Sequence, residues 1–520
     1  MNIAVAAGLV VATAILRSQA ITAWGLLNPD EAELMVQARA ALVSPVPFST
    51  WITGTTGPYW VLFLAGLSML GAPLTLAFAH LLAAVLWALA AAALFVAASR
   101  VIGRGPAIVV TLVWWFPVAT TFLVGDPVDF GALSTEYLPT LLIVASALVP
   151  REQLAARPWL FGVLGVLAGL AVGAKYQLAP VALAFAAAQL IVLRPSARHV
   201  VVSLLWWIAG AVLPVAAIVL VMVASPATNW ALVEQTFTFI ASYGSGRSQL
   251  QRVTSTFTAL IRPWAYQLVT LAGLIWLSRF SDRRSNLARV VLVAGGLTAV
   301  LIGGMGYPHY LIAFFGAVGL AATMPVKMPV KMRLKPDARL RPQWLLPTAL
   351  ALVMGLAAAV VLMVGYTRAR WAPLPPQAVV AAFSSNSVNR DPTLARACPP
   401  GLPAVVWGWA AELYIAQDWQ SAMPYLNAAA LSWSPANREA GEPIVRAGID
   451  RAACILDATG MIRPNCPVDR PDQLVTFCSS AKFSLPRAYP QLAELIGRQF
   501  HTVPITGRCD GCTLYVRNSS

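Results

Sequence analysis

The sequence predicts a polytopic α-helical membrane protein of about eleven transmembrane helices, followed by a small extracytoplasmic α/β domain. Three observations carry this. Of 520 residues, 58% are hydrophobic, and the mean hydropathy is +0.70. Apolar runs recur that are long enough for a hydrocarbon core of about 30 Å at a rise of about 1.5 Å per residue. All six cysteines (Cys398, Cys454, Cys466, Cys478, Cys509 and Cys512) fall in the polar C-terminal part.

The spans read as 3–24, 73–99, 106–124, 132–149, 158–174, 177–193, 200–224, 264–279, 289–305, 308–323 and 344–366. The first lacks a basic amino-terminal region and carries Arg17, so it reads as a retained helix rather than a signal peptide. Segment 57–71 is short, with Gly and Pro at its ends, and reads as a juxtamembrane or re-entrant piece.

Orientation follows from charge. With the N-terminus inside, the inner loops hold 16 basic residues. They run from Arg100 and Arg104 through Arg151, Arg157, Arg194 and Arg198, then Arg279 to Arg289, to the run Lys327–Arg341. The outer side holds seven: Arg39, Lys175, Arg247, Arg252, Arg262, Arg368 and Arg370. This bias predicts a multi-pass plasma (inner) membrane protein with a cytoplasmic N-terminus and residues 371–520 outside. If 57–71 spanned, every later loop would swap sides and the bias would reverse.

The net charge of +15 does not point to nucleic acid. Residues 1–370 carry 24 Lys and Arg against 10 Asp and Glu, whereas residues 371–520 carry 12 against 11. The excess belongs to membrane loops, and no nucleic-acid partner is expected.

The two parts divide at 1–370 and 371–520. Trp371-Ala372-Pro373-Leu374-Pro375-Pro376 reads as a semi-rigid linker. Beyond it, strands are expected at 404–409, 451–457 and 514–517, with a helix over 486–500. An even cysteine number in such a domain points to disulfides, with fifteen connectivities open. Cys509-Asp510-Gly511-Cys512 alternatively reads as half a zinc or redox site.

Candidate functional residues collect on the predicted outer side: Asp30, Glu31, Glu33, Asp126, Asp129, Glu136, Lys175, Glu234 and His309. Ionisable groups at membrane depth are costly and often functional. Each also has a plainer account. Asn28-Pro29-Asp30-Glu31 reads as a helix start, with Asn28 as N-cap and Glu31 as a capping-box carboxylate. Met35, Ala38 and Leu42 would give that helix an apolar stripe. Asp126, Asp129 and Glu136 suit solvated loop charge, or acid/base or metal work. Lys175, in a loop between short helices, suits either a phosphate contact in a partly dry cavity or a snorkelling interfacial side chain. His309, in Gly306-Tyr307-Pro308-His309-Tyr310, suits an interfacial anchor. No phosphate loop, dinucleotide fingerprint or HExxH occurs, so ATP hydrolysis, hydride transfer and zincin proteolysis lack support.

In order and sidedness these motifs resemble the membrane-embedded glycosyltransferases of the GT-C fold, in particular bacterial relatives of dolichyl-phosphate-mannose protein mannosyltransferases and aminoarabinose transferases. The resemblance runs through Asp30-Glu31, then Thr53-Gly54-Thr55-Thr56-Gly57-Pro58, then Gly169 to Gln177, and His309. It continues in Val406-Trp407-Gly408-Trp409, Glu412-Leu413-Tyr414 and Tyr425. It implies inverting sugar transfer from a polyprenyl-phosphate donor to an unidentified hydroxyl acceptor on the outer face. By the same resemblance Asp30 is the general base, and Glu31 orients the acceptor or a metal. Lys175 contacts the donor phosphate, and Gln177, His309 and Tyr59 line the cavity. Glu136 or Asp126 supplies a second carboxylate. Any cofactor would be a divalent cation, with Asp30 and Glu31 its candidate ligands. The other readings are a transporter or flippase for a lipid-linked sugar, disfavoured by the absence of repeated broken helices, and a non-catalytic envelope scaffold.

Overall fold

The protein is described by a computed structural model. It describes residues 2–18, 21, 29–52, 54, 56–124, 131–242, 248, 250–251, 253–254, 274–275, 278–303, 307–326, 390–408, 410–424, 426, 431, 435–459, 484–505, 509 and 511–518. The predicted span 344–366, most of 264–279, the linker 371–376, Asn28 with its capping role, Tyr425, Cys466 and Cys478 lie outside these residues.

In chain order the helices are α1 (Asn2–Leu16), α2 (Pro29–Val43), α3 (Pro58–Met69), α4 (Leu76–Ile102), α5 (Arg104–Val124) and α6 (Tyr137–Ala145). Then come α7 (Arg151–Ala156), α8 (Leu160–Ala174), α9 (Ala179–Leu193), α10 (Ala197–Ala224), α11 (Trp230–Ser242), α12 (Arg283–Gly303) and α13 (Leu311–Ala322). The C-terminal part adds α14 (Pro392–Ala397), α15 (Glu412–Gln417), α16 (Pro435–Arg451), α17 (Leu485–Ala488) and α18 (Pro490–Gln499). Its strands are β1 (Pro403–Trp407), β2 (Gln420–Ser421), β3 (Cys454–Asp457), β4 (Phe500–Val503) and β5 (Thr513–Arg517).

Among the described residues four helices are long and apolar enough to cross a membrane: Leu76–Ile102, Tyr176–Leu193, Ala197–Ala224 and Arg283–Ile302. Shorter apolar helices fall on the predicted spans near 3–24, 106–124, 132–149, 158–174 and 308–323. Segment 57–71 forms the 12-residue α3.

The chain packs as two compact units. One takes in Met1–Ala23, His80–Leu220 and Gly244–Pro376; the other Trp24–Ala79, Val221–Tyr243 and Gln377–Ser520.

The first unit is the helical bundle. Indole N–H groups, which need an acceptor when buried, stitch it together. Trp87 stacks on Trp114 with ring centroids 4.1 Å apart and donates to the Trp115 carbonyl at 2.9 Å. Trp115 donates to Thr13 Oγ1 at 2.9 Å, and Trp114 to the Phe315 carbonyl, so α1, α4, α5 and α13 are held in one network. Arg17, the charge that made the first span unusual, is fully buried. Its Nη2 donates to the Val118 carbonyl at 3.1 Å and to the Tyr137 hydroxyl at 2.8 Å. Between α8 and α10 the backbones touch: a methyl on Gly165 or Gly169 would run into the backbone of Trp207 or Ala211. This is the small-residue contact that lets apolar helices associate where lipid removes the hydrophobic drive.

The second unit centres on a five-stranded sheet of order β2-β1-β3-β5-β4. β1 runs parallel to β2 and β3, whereas β5 is antiparallel to both β3 and β4. Ala404 to Trp407 and Ile455 to Leu456 are fully buried, as apolar central strands require. The predicted strand at 451–457 contains β3, and those at 404–409 and 514–517 overlap β1 and β5. The predicted helix 486–500 divides into α17 and α18 and stops at Gln499, because Phe500 is extended and opens β4. Cys398–Cys454 joins the end of α14 to β3 across a sequence separation of 56, and Cys509–Cys512 spans a separation of 3. The second bond replaces the zinc half-site reading of that pair. In the same unit α2 docks beside α15. Arg39 Nη1 lies 3.3 Å from Asp418 Oδ1, and Gln37 Nε2 donates to the Pro424 carbonyl at 2.9 Å.

Candidate active site

Three breaks in the bundle helices bring the site residues of the first unit together. Pro180 forces one of them. In a continuous helix its ring would strike the Tyr176 carbonyl, and it has no N–H to donate. The chain therefore leaves α8 at Lys175, which is extended (φ −152°, ψ 108°). It makes a single 3₁₀ turn over Tyr176–Leu178 and re-enters α9. Pro308 does the same before α13: Tyr307 is extended and Pro308–Tyr310 form a 3₁₀ turn. The third break is Ser134-Thr135-Glu136, at the start of α6.

Lys175 and Glu136 meet there. Lys175 Nζ lies 3.4 Å from Glu136 Oε1, with the side chains 4% and 0% exposed. Glu136 Oε2 accepts hydrogen bonds from Ser134 Oγ at 2.5 Å and Thr135 Oγ1 at 3.1 Å. The two hydroxyls and the ammonium compensate a carboxylate that burial alone would make very costly. The ammonium also sits 5.9 Å from the centre of the Tyr310 ring. His309 is buried, stacked on Tyr307 at 5.4 Å and edge-on to Tyr310 at 4.8 Å. It interacts electrostatically with Glu136. Gln177, two residues past Lys175, is also buried, and its Nε2 has no hydrogen-bond partner among the described residues.

This geometry corrects one account of Lys175. A snorkelling lysine keeps its ammonium in water, whereas this one is enclosed and paired. Glu136 likewise is not solvated loop charge. Sequence reasoning passed over Ser134 and Thr135, whose position directly before Glu136 was the available signal. It assigned no role to Tyr307 and Tyr310, whose rings flank His309 and, for Tyr310, the Lys175 ammonium.

The other predicted residues belong to other elements. Asp30 and Glu31 occupy the first turn of α2, in the second unit; Asp30 is half-buried and Glu31 fully buried. Glu33 follows on the same helix. A Cβ at Gly54 would come 3.3 Å from Glu33 Oε1, and Gly54 itself has φ +51°, a conformation suited to glycine. The apolar stripe expected on α2 is present at Met35 and Ala38, both buried, but Leu42 is exposed. Tyr59 is half-buried near the start of α3, and Glu234 is exposed on α11. Asp126 and Asp129 lie outside the described residues. Among the described residues no three His, Cys, Asp or Glu side chains are grouped to hold a metal. Among the described residues, Asp30 and Glu31 belong to no such group.

No protein-family model and no curated protein sequence matches the chain. Solved structures do. The crystal structure of ArnT from Cupriavidus metallidurans bound to undecaprenyl phosphate aligns with 100% of this chain and 98% of its own, at 14% identity and a TM-score of 0.52. An Archaeoglobus fulgidus oligosaccharyltransferase tethered to an acceptor peptide aligns with 99% of this chain and 74% of its own, at 12% identity and a TM-score of 0.47. The likeness to ArnT, an aminoarabinose transferase, shows the fold: it is the GT-C fold of the glycosyltransferases that the sequence resembles.

Proposed function

We propose that the chain transfers a sugar from a polyprenyl-phosphate donor to a hydroxyl acceptor, a lipid, glycan or protein, on the extracytoplasmic face, with inversion. The observation that carries this is the enclosed cluster of Lys175, Glu136, His309 and Gln177. A buried ammonium whose described partners are one carboxylate at 3.4 Å and a tyrosine face has further N–H donors to offer. A phosphate oxygen suits them, and the free amide of Gln177 suits a second oxygen.

In this reading the acceptor oxygen attacks the anomeric carbon and its proton passes to the Asp30 carboxylate. The bond from that carbon to the phosphate oxygen breaks, and the electron pair leaves with the phosphate. Lys175 stabilises the growing negative charge in a site where water does not dilute it. Glu136, 3.4 Å away, holds the Lys175 side chain in place before the donor arrives. Glu31 orients the acceptor, and Tyr59 lines its path.

Asp30→Asn tests the base. Transfer in proteoliposomes is expected to fall by about 10²–10⁴-fold, the usual share of a general base, with expression and donor binding retained. Unchanged turnover would overturn the assignment and leave Asp30 with its helix-start role alone.

A further inference from the structure

At the end of the first unit's bundle that loop charge assigns to the cytoplasm, two arginines converge on one residue. Arg151, on α7, places Nη2 3.7 Å from Met324 Sδ. Arg289, on α12, donates from Nη2 to the Met324 carbonyl at 3.0 Å. Among the described residues neither guanidinium has a carboxylate within ion-pair distance, and the nearest influences are Glu152 on Arg151 and Asp282 on Arg289. Asp282 is itself paired with Arg194 at 3.3 Å.

The two arginines differ in what they have left to give. Arg289 is buried. Besides Met324 it donates to the carbonyls of Ala321 and Pro325 and to Asn286 Oδ1, so it caps the C-terminal end of α13. Arg151 is half-buried. Its Nε donates to Gln189 Oε1 at 3.0 Å, on the otherwise apolar α9, and its Nη2 has only the thioether of Met324. The terminal nitrogens of its fork are therefore largely unspent. Burial lowers the Arg151 pKa to about 10, with Glu152 raising it and the neighbouring Arg289 lowering it. A like-charged pair at the end of a helical bundle calls for a counter-ion, and a planar fork with open N–H groups matches a phosphate.

We propose that Arg151, steadied by Gln189 and backed by Arg289, binds the phosphodiester headgroup of an anionic phospholipid of the cytoplasmic leaflet. Basic pockets between helices on that side are suited to such headgroups. The site is separate from the Lys175 cluster, and its occupancy stabilises the junction of α7, α9, α12 and α13.

The full chain in detergent, titrated with phosphatidylglycerol and, in parallel, phosphatidylcholine or inorganic phosphate, tests this by retained-lipid mass spectrometry and thermal melting. Phosphatidylglycerol is expected to be retained and to raise the melting temperature, phosphatidylcholine not. Arg151→Gln should weaken phosphatidylglycerol binding roughly tenfold, the loss of one charged hydrogen-bonded contact, and Arg151→Lys by less. Melting of both variants without lipid serves as the fold control. Equal retention by wild type and a folded Arg151→Gln would overturn the proposal. So would inorganic phosphate that protects as well as the lipid at equal concentration.

Discussion

Two ion pairs of almost the same length stand in different surroundings. Lys175–Glu136 in the helical unit measures 3.4 Å with both side chains enclosed. Arg39–Asp418 in the sheet-containing unit measures 3.3 Å with side chains 27% and 54% exposed. Distance does not rank them; burial does. The enclosed pair has given up hydration on both sides, so each partner depends on the other. The other pair, with Arg39 half-buried and Asp418 exposed, competes with water and salt and contributes little. A costly buried pair that apolar residues could replace is best understood as kept for function, whereas Arg39–Asp418 is ordinary docking between α2 and α15.

The largest expected effect comes from breaking the enclosed pair on one side. Glu136→Gln or Lys175→Met alone should cost about 3–5 kcal/mol of stability by stranding a buried charge, read as a lower melting temperature in micelles. The double substitution should recover most of that loss, since it leaves no charge behind. Additive losses in the double variant would mean that the two groups do not depend on each other.

Removing the Cys398–Cys454 bond by Cys398→Ala comes next, at about 4 kcal/mol for a loop closed over a separation of 56. Opening Cys509–Cys512, with its separation of 3, should cost about half as much by the same loop-length argument. Denaturant melts of single-bond variants would show the difference. The smallest effect is Arg39→Ala, at under about 1 kcal/mol and shrinking as salt is added. A larger, salt-independent loss would show that the exposed pair matters more than its solvation allows.

What could be read from the sequence, and what could not, follows from the range of the interactions. Apolar runs are local, so most described helices of the first unit lie on predicted spans, and the buried strands β1 and β3 were visible as short apolar blocks. Lys175, Glu136 and His309 stood out because ionisable residues are rare in this chain. Their meeting was not legible: 39 residues separate Glu136 from Lys175, and 134 separate Lys175 from His309. Only the packed bundle brings three proline- and turn-induced breaks to one place. β2, with two residues, carries no periodic signal, and β4 was hidden because the amphipathic pattern of α18 runs up to Phe500 without a stop signal. The docking of α2 by Arg39 and Asp418, 379 residues apart, likewise has no local trace.

The central claim is that the enclosed lysine receives the donor phosphate. Its most direct test is the affinity of the purified chain, in lipid nanodiscs, for a polyprenyl-phosphate sugar, compared between wild type, Asp30→Asn and the folded double variant Glu136→Gln with Lys175→Met. The account predicts wild-type affinity for Asp30→Asn and at least roughly tenfold weaker binding for the double variant, which has lost a charge-assisted phosphate contact. Donor affinity unchanged in a folded double variant would contradict it.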